Sequence, residues 1–159
     1  MYEILIVGGG PAGLTAAIYA ARAGKHVAVL ERGSTGGQII SATLVENYPG
    51  IPSVSGTELA RQMTEQACTF GAEIVYTEAV GLEKTPAGFR VLCTDGVREA
   101  KTVILATGAA HRSLGLAAED ALTGCGVSYC AVCDGAFYEG LDVAVVGGGD
   151  TAVQDALLL

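Results

Sequence analysis

The feature that most constrains this chain is the glycine string Gly8–Gly13, which directly follows the apolar run Ile4–Val7. The string matches G-x-G-x-x-G. Its first glycine permits a tight turn, its second lets the backbone approach a pyrophosphate, and its third lets helix and strand pack closely. A helix opening at Pro11 would present its N-terminus to the phosphate charge. The predicted dinucleotide contacts of this turn come from Gly8, Gly10, Pro11, Ala12 and Gly13.

The residues after the glycine string complete the start of a βαβ unit. Leu14, Ala17, Ile18 and Ala21 recur at helical spacing, Gly24 ends the helix, and an apolar strand follows over residues 27–30. Glu31 comes 18 residues after Gly13, at the carboxyl end of that strand, where an acid can accept hydrogen bonds from ribose hydroxyls. An ordinary tight turn is the alternative for the glycines taken alone.

The middle of the chain predicts an extended functional loop and then an antiparallel excursion. Residues 32–56 are rich in Gly, Ser, Thr and Pro, and Ser55 with Glu58 predicts a capping box at the start of the next helix. That helix carries an apolar stripe and is closed by Gly71. Stretches at about 73–80, 89–94 and 101–106 read as strands, separated by turns at 86–88 and 95–96. The stripe consists of Leu59, Met63, Ala67 and Phe70.

A second strand, glycine turn and helix repeat the opening design near the end of the chain. The apolar run 142–146 predicts the strand, and residues 150–159 predict a helix that ends on three leucines without a cap. This second copy is unfinished, so we expect a fragment of a longer protein. The residue that would select NADH or NADPH would lie beyond residue 159. A turn inherited by duplication, with no ligand, is the alternative. The candidate ligand contacts are Gly147, Gly149, Asp150, Thr151 and Ala152.

These patterns predict an α/β fold in two parts. Residues 1–112 are expected to form a Rossmann-like dinucleotide-binding domain, a parallel sheet with an antiparallel β excursion. Residues 113–159 are expected to begin a second Rossmann-like domain, for a pyridine nucleotide.

Cys130 and Cys133 form a C-x-x-C motif that is followed at once by Asp134. Only two residues separate the thiols, so they can close and reopen a disulfide, with Asp134 as a candidate proton donor to the leaving thiolate. Zinc ligation is an alternative, although there is a single C-x-x-C, and neither His26 nor His111 has ligand spacing. Inert core thiols for the pair, and a solvated turn residue for Asp134, are the remaining alternatives. No metal site is predicted.

The composition of the chain limits the classes of binding partner and the cellular compartment that we expect. Nine Lys and Arg against 17 Asp and Glu give a net charge of −8, and the basic residues are scattered, which argues against nucleic acid and anionic membranes. No apolar run approaches the roughly 18 residues of a membrane span, and no secretory signal follows Met1. We therefore expect a cytoplasmic protein with no membrane partner. Cys68 and Cys93 are expected to be buried apolar residues, and Cys125 less clearly so.

The motifs together resemble the low-molecular-weight thioredoxin reductases, FAD-containing members of the pyridine nucleotide-disulfide oxidoreductases. The resemblance covers essentially the whole chain, as the N-terminal half of such a protein. It is carried by GGGPAG at 8–13, GGQ at 36–38, ENYPG at 46–50, ATGA at 106–109, CAVCDG at 130–135 and GGGDTA at 147–152.

That resemblance implies roles for individual residues. The first glycine turn and Glu31 would bind the ADP part of FAD, Asn47 would approach the flavin ring, and the second turn would bind NADPH. Cys133 would face the flavin, Cys130 would attack the substrate disulfide, and Asp134 would act as acid and base. Further FAD contacts would come from Arg32, Gly36, Gly37, Gln38, Thr107 and Gly108.

The implied function is a thioredoxin-disulfide reductase in which NADPH, FAD and the dithiol pass electrons to thioredoxin. The resemblance also implies a homodimer. The flavoprotein reductase of a peroxiredoxin system, a ferredoxin-fed relative and a truncated flavin-binding module without turnover are the alternatives.

Overall fold

The computed structural model describes residues 1–159, which divide into two compact units, Met1–Ala109 and Ala110–Leu159. Unit 1 contains a six-stranded sheet, two α-helices and a 3₁₀ helix at Gly37–Ser41. Its strands are β1 (Tyr2–Val7), β2 (Val27–Glu31), β3 (Glu73–Tyr76), β4 (Ala79–Thr85), β5 (Gly88–Cys93) and β6 (Gly96–Leu105). Its helices are α1 (Pro11–Arg22) and α2 (Gly56–Thr69).

The sheet runs in the order β3-β2-β1-β6-β5-β4. Strands β3, β2, β1 and β6 pair in parallel, whereas β4, β5 and β6 pair antiparallel. The predicted parallel sheet with an antiparallel excursion is therefore confirmed. The parallel strands bring their carboxyl ends to one edge, where Val7 pairs with both Leu30 and Leu105.

Strands β1 and β2 contribute buried side chains to both faces of the sheet, which explains why they read as short continuous apolar runs. Ile6 and Val29 are fully buried in a core that includes side chains of α1 and α2. Leu5 and Ala28 are fully buried in a second core, which also contains Val91.

Both helices form where the sequence predicted them. Pro11 occupies the first position of α1, and the predicted face Leu14, Ala17, Ile18 and Ala21 is buried. Ser55 caps α2, and its hydroxyl oxygen accepts a hydrogen bond from the Glu58 N–H at 3.2 Å.

The far end of the α2 stripe departs from the prediction. Leu59, Met63 and Ala67 are buried, but Phe70 lies beyond the last turn, exposed to 40%. Its ring instead lies beneath the Arg22 guanidinium, 5.3 Å from the ring centroid.

The predicted strand 73–80 was wrong in extent, because the chain changes partner at Thr77. The Thr77 N–H still bonds to the Glu31 oxygen at 2.9 Å, and its buried hydroxyl donates to Asp95 at 2.5 Å. The chain then starts β4, which pairs with β5 instead of β2. Strand β6 begins at Gly96, earlier than the predicted residue 101, because the hairpin closes on the Cys93–Gly96 pair.

Unit 2 is built from short helices, α3 (Glu119–Leu122), α4 (Ala131–Asp134) and α5 (Asp150–Leu158), with a 3₁₀ helix at Gly135–Tyr138. The predicted helix after residue 150 is confirmed, but the predicted strand 142–146 is wrong, since this segment has no regular structure. A strand requires a neighbouring strand to pair its backbone amides. Unit 2 supplies none, and its bridging is limited to Thr123 with Val127.

The prediction that the isolated cysteines are buried was wrong for two of them and is met in part by Cys93, which packs against the second core. Cys68 and Cys125 are exposed and Cys93 is half-buried. Cys68 follows the buried Ala67 and so points about 100° away from the apolar stripe of α2. Across the whole chain, no helix has the length and apolar character needed to cross a bilayer.

Candidate functional site

Close packing against neighbouring backbone requires glycine at two positions of the turn between β1 and α1. Gly8 has φ +108°, and a Cβ there would lie 2.2 Å from the Ala106 carbonyl oxygen. A Cβ on Gly13 would lie 1.9 Å from the carbonyl oxygen of Gly8. A side chain at Gly8 would therefore push the turn away from the end of β6, and one at Gly13 would push α1 away from the turn.

Gly10 has no such packing role. It precedes α1 with φ −74°, and an added Cβ would meet nothing closer than the Gly37 Cα at 3.9 Å. The first intrahelical bond runs from the Leu14 N–H to the Gly10 oxygen, so the Ala12 and Gly13 amides lie in the uncapped first turn. The turn thus leaves open backbone and free amides of the kind that bind an anion.

Glu31 ends β2 and points into this turn. Its carboxylate accepts hydrogen bonds from the Gly9 N–H at 2.7 Å and from the Gly33 N–H at 2.9 Å. A carboxylate has about four acceptor positions, so two such bonds leave capacity for ribose hydroxyls. The sequence predicted the location of Glu31 but not these backbone bonds.

The segment at 36–38 and the end of β6 lie at the same edge of unit 1. The Gly36 N–H donates to the Gly9 oxygen at 2.7 Å, and Gly37 lies against Gly10. The Gln38 side-chain amide donates to the Ala109 oxygen, which fixes this segment to the exposed stretch that carries Thr107 and Gly108.

Two predicted contact residues of unit 1 are not tied to the turn by hydrogen bonds. Asn47 is exposed, in the loop that is bridged through Val45 and Val54. Arg32 is also exposed, and its guanidinium lies 3.9 Å from the Glu78 carboxylate.

In unit 2 the two cysteines of the C-x-x-C motif are joined as a disulfide, with Cα atoms 5.2 Å apart. Cys130 caps α4, and its sulfur accepts a hydrogen bond from the Cys133 N–H at 3.2 Å. That amide is placed to stabilise negative charge on Cys130 once the disulfide opens.

Asp134 is linked to this motif through Ser128, which the sequence analysis missed. The Ser128 hydroxyl donates to the Asp134 carboxylate at 2.5 Å and accepts from the Cys130 N–H at 3.1 Å. Its position two residues before the first cysteine was the available signal, because serine hydroxyls commonly bond to nearby backbone.

The second glycine turn forms without its strand. Gly147 has φ +146°, where a Cβ would lie 2.9 Å from that of Ala152, while Gly148 and Gly149 face open space. Gly149 precedes α5, whose first turn carries Asp150 and Thr151, both exposed. The turn and helix of the predicted nucleotide motif are thus present in unit 2.

Comparison with known proteins gives one consistent answer. The family model for pyridine nucleotide-disulphide oxidoreductase matches residues 2–159. The chain belongs to this family.

Curated relatives of this family member include thioredoxin reductases of Listeria monocytogenes, at 45% identity, and Bacillus subtilis, at 44%. Each alignment covers 100% of this chain and 50% of the relative. The crystal structure of thioredoxin reductase from Streptococcus pyogenes matches with a TM-score of 0.94 at 50% identity, over 99% of this chain and 51% of that one. The chain therefore spans about half the length of the relatives it matches.

Proposed function

We propose that this chain provides the FAD-binding and dithiol-bearing parts of an NADPH-dependent thioredoxin-disulfide reductase. The overall reaction is NADPH, a proton and thioredoxin disulfide giving NADP⁺ and thioredoxin dithiol. The observation that carries the proposal is the Cys130–Cys133 disulfide, which Asp134 follows directly in the chain. The same chain contains a glycine turn whose Gly9 N–H donates a hydrogen bond to Glu31. The thioredoxin reductases among its relatives favour this function over the reductase of a peroxiredoxin system.

The residues of unit 1 fit the ADP part of FAD. The open backbone at Gly10 allows a pyrophosphate to approach the first turn of α1, and Glu31 retains acceptor positions for ribose hydroxyls. Bound FAD would supply the two-electron carrier between the nicotinamide and the disulfide. The other proposed FAD contacts are Gly8, Pro11, Ala12, Gly13, Arg32, Gly36, Gly37, Gln38, Asn47, Thr107 and Gly108.

The dithiol chemistry belongs to α4. We assign Cys130 as the thiol that attacks thioredoxin disulfide, because the Cys133 N–H at 3.2 Å would stabilise its thiolate. Attack forms a mixed disulfide and releases one thioredoxin thiolate. Cys133 then attacks Cys130, restoring the internal disulfide and releasing the second thioredoxin thiolate.

Asp134 is proposed to supply and take up the protons of these steps. Its carboxylate is already hydrogen-bonded to the Ser128 hydroxyl, which in turn accepts from the Cys130 amide. This chain of contacts connects the carboxyl group to the backbone of Cys130, the proposed attacking residue.

NADPH is assigned to the second glycine turn, with contacts from Gly147, Gly149, Asp150, Thr151 and Ala152. The open faces of Gly148 and Gly149 support close approach of a phosphate. We place the FAD-binding part at 1–112 and the NADPH-binding part from 113, close to the division between the compact units. A homodimer is proposed from the resemblance alone, whereas the cytoplasmic location is proposed from the sequence.

Replacement of both cysteines tests the function. In the full-length protein, Cys130→Ser with Cys133→Ser should abolish NADPH-dependent reduction of thioredoxin while the protein still binds FAD and remains yellow. The matched control Cys68→Ser changes an exposed thiol of unit 1 and should leave turnover intact. Turnover that survives the double replacement would refute the proposal, whereas a colourless wild-type protein would refute the FAD assignment.

A further inference from the structure

A buried carboxylate lies in unit 2 outside the proposed chemistry. Glu119, at the start of α3, is only 3% exposed. It accepts hydrogen bonds from the N–H groups of Leu114 at 2.7 Å, Gly115 at 2.8 Å and Leu116 at 3.1 Å. It also accepts a hydrogen bond from the hydroxyl of Tyr129. All of these hydrogen-bond donors to the buried carboxylate belong to unit 2.

Tyr129 is the residue that directly precedes Cys130, so its side chain fixes the backbone that enters the disulfide. The ring of His111 stacks on that of Tyr129, with centroids 3.4 Å apart and 16° between the planes. One residue earlier in the chain, Ser128 bonds to Asp134, and one residue later Cys130 caps α4. The bond to Glu119 therefore anchors the entrance to the redox motif.

We propose that Glu119 and Tyr129 are positioning residues of the dithiol, which hold Cys130 where its sulfur receives the Cys133 N–H. The inference rests on the proposed function in one respect, that Cys130 and Cys133 are the reacting pair. Loss of the anchor frees the backbone at Cys130 and weakens the 3.2 Å contact from the Cys133 amide to its sulfur. The thiolate of the open form then loses stabilisation, and the equilibrium moves toward the disulfide.

The pair acts by position and not by proton transfer. The Tyr129 hydroxyl, together with the Leu114 amide, lowers the pKa of Glu119 to about 2. The carboxylate in turn raises the pKa of Tyr129 to about 12. At neutral pH the proton therefore stays on the phenol.

The test is the equilibrium of the Cys130–Cys133 disulfide with dithiothreitol in the full-length protein. Dithiothreitol gives up two electrons and two protons to form its cyclic disulfide, while Cys130 and Cys133 become two thiols. Alkylation followed by mass spectrometry of the peptide that contains both cysteines reads the fraction reduced. Dithiothreitol is the sole reductant, so the result does not depend on NADPH or thioredoxin.

Tyr129→Phe removes the hydroxyl and keeps the stacked ring. It should shift the equilibrium about fivefold toward the disulfide, as expected for loss of roughly one hydrogen bond. Glu119→Gln should shift it in the same direction. The control Tyr138→Phe removes a half-buried hydroxyl of the same unit that makes no hydrogen bond, and should match the wild type.

Three results of the equilibrium measurement would overturn the inference. These are a Tyr129→Phe equilibrium equal to that of the wild type, an equal shift in Tyr138→Phe, and a shift in Tyr129→Phe with none in Glu119→Gln. Failure of Tyr129→Phe to fold, followed by circular dichroism, would also overturn it, since the pair would then stabilise the unit as a whole. The proposed function fails on a different result: thioredoxin reduction that continues after both cysteines are replaced.

Discussion

Two glycines of the first turn, three residues apart, are expected to respond to alanine in different ways. At Gly13 the new Cβ would lie 1.9 Å from a backbone oxygen that cannot move without shifting β1. Overpacking of a core costs about 1–3 kcal/mol, and we place Gly13→Ala at the upper end, about 3 kcal/mol. At about 2–4 °C per kcal/mol for a protein of this size, Tm should fall by about 6–12 °C.

At Gly10 the Cβ has room, with its nearest neighbour at 3.9 Å, and the φ of −74° suits alanine. Reduced freedom of the unfolded chain stabilises Gly10→Ala by about 0.4–1 kcal/mol. The poorer helix cap of alanine offsets this by a similar amount, about 0.5 kcal/mol. Stability should therefore change little. The methyl group would, however, occupy the space proposed for the pyrophosphate, and an overlap costing about 1–3 kcal/mol weakens FAD binding about 5- to 150-fold.

Thermal unfolding of the FAD-free protein by circular dichroism, and titration of flavin fluorescence, measure the two effects separately. The reasoning is refuted if Gly10→Ala lowers Tm as much as Gly13→Ala does. It is refuted equally if Gly10→Ala binds FAD with wild-type affinity.

Three further predictions concern single side chains. Ser55→Ala should destabilise unit 1 by about 1 kcal/mol, because the Glu58 N–H loses its hydrogen-bond acceptor, and the urea midpoint should fall. The control Ser53→Ala replaces an exposed serine without a hydrogen bond and should leave the urea midpoint unchanged. Ser128→Ala should slow thioredoxin reduction about tenfold with FAD binding unchanged, because Asp134 loses its hydroxyl partner. An unchanged rate would show that Ser128 does not position Asp134. The pKa of Glu119 falls from 4.5 to about 2 on folding, so between these pH values the unfolded state binds more protons than the folded state. The stabilisation by Glu119 is therefore fully present above pH 4.5 and is lost as the pH falls toward 2. Glu119→Gln should flatten this acid dependence of the unfolding free energy, and an identical acid profile in both proteins would contradict the assignment.

Much of the secondary structure of unit 1 was predictable because the residues that determine it are close together in the sequence. Pro11 and the spacing of Leu14, Ala17 and Ile18 define α1, and Ser55 with Glu58 marks the start of α2. The carboxyl-edge site followed from the glycine turn and Glu31, which lie at the ends of adjacent strands.

The errors arose where structure depends on distant partners. The run 142–146 has strand composition, yet it finds no strand to pair with in unit 2. The change of partner at Thr77 depends on Asp95, 18 residues away. Glu119 and Tyr129 are ten residues apart with no repeating pattern between them, so only the folded backbone reveals their contact.

The central claim is that electrons from NADPH arrive at the sulfurs of Cys130 and Cys133. Incubating the full-length protein with NADPH without oxygen, alkylating the thiols and mapping them by mass spectrometry tests it directly. Two newly alkylated thiols at positions 130 and 133, lost again when oxidised thioredoxin is added, are predicted. A pair that stays disulfide-bonded while the protein reduces thioredoxin would contradict the account.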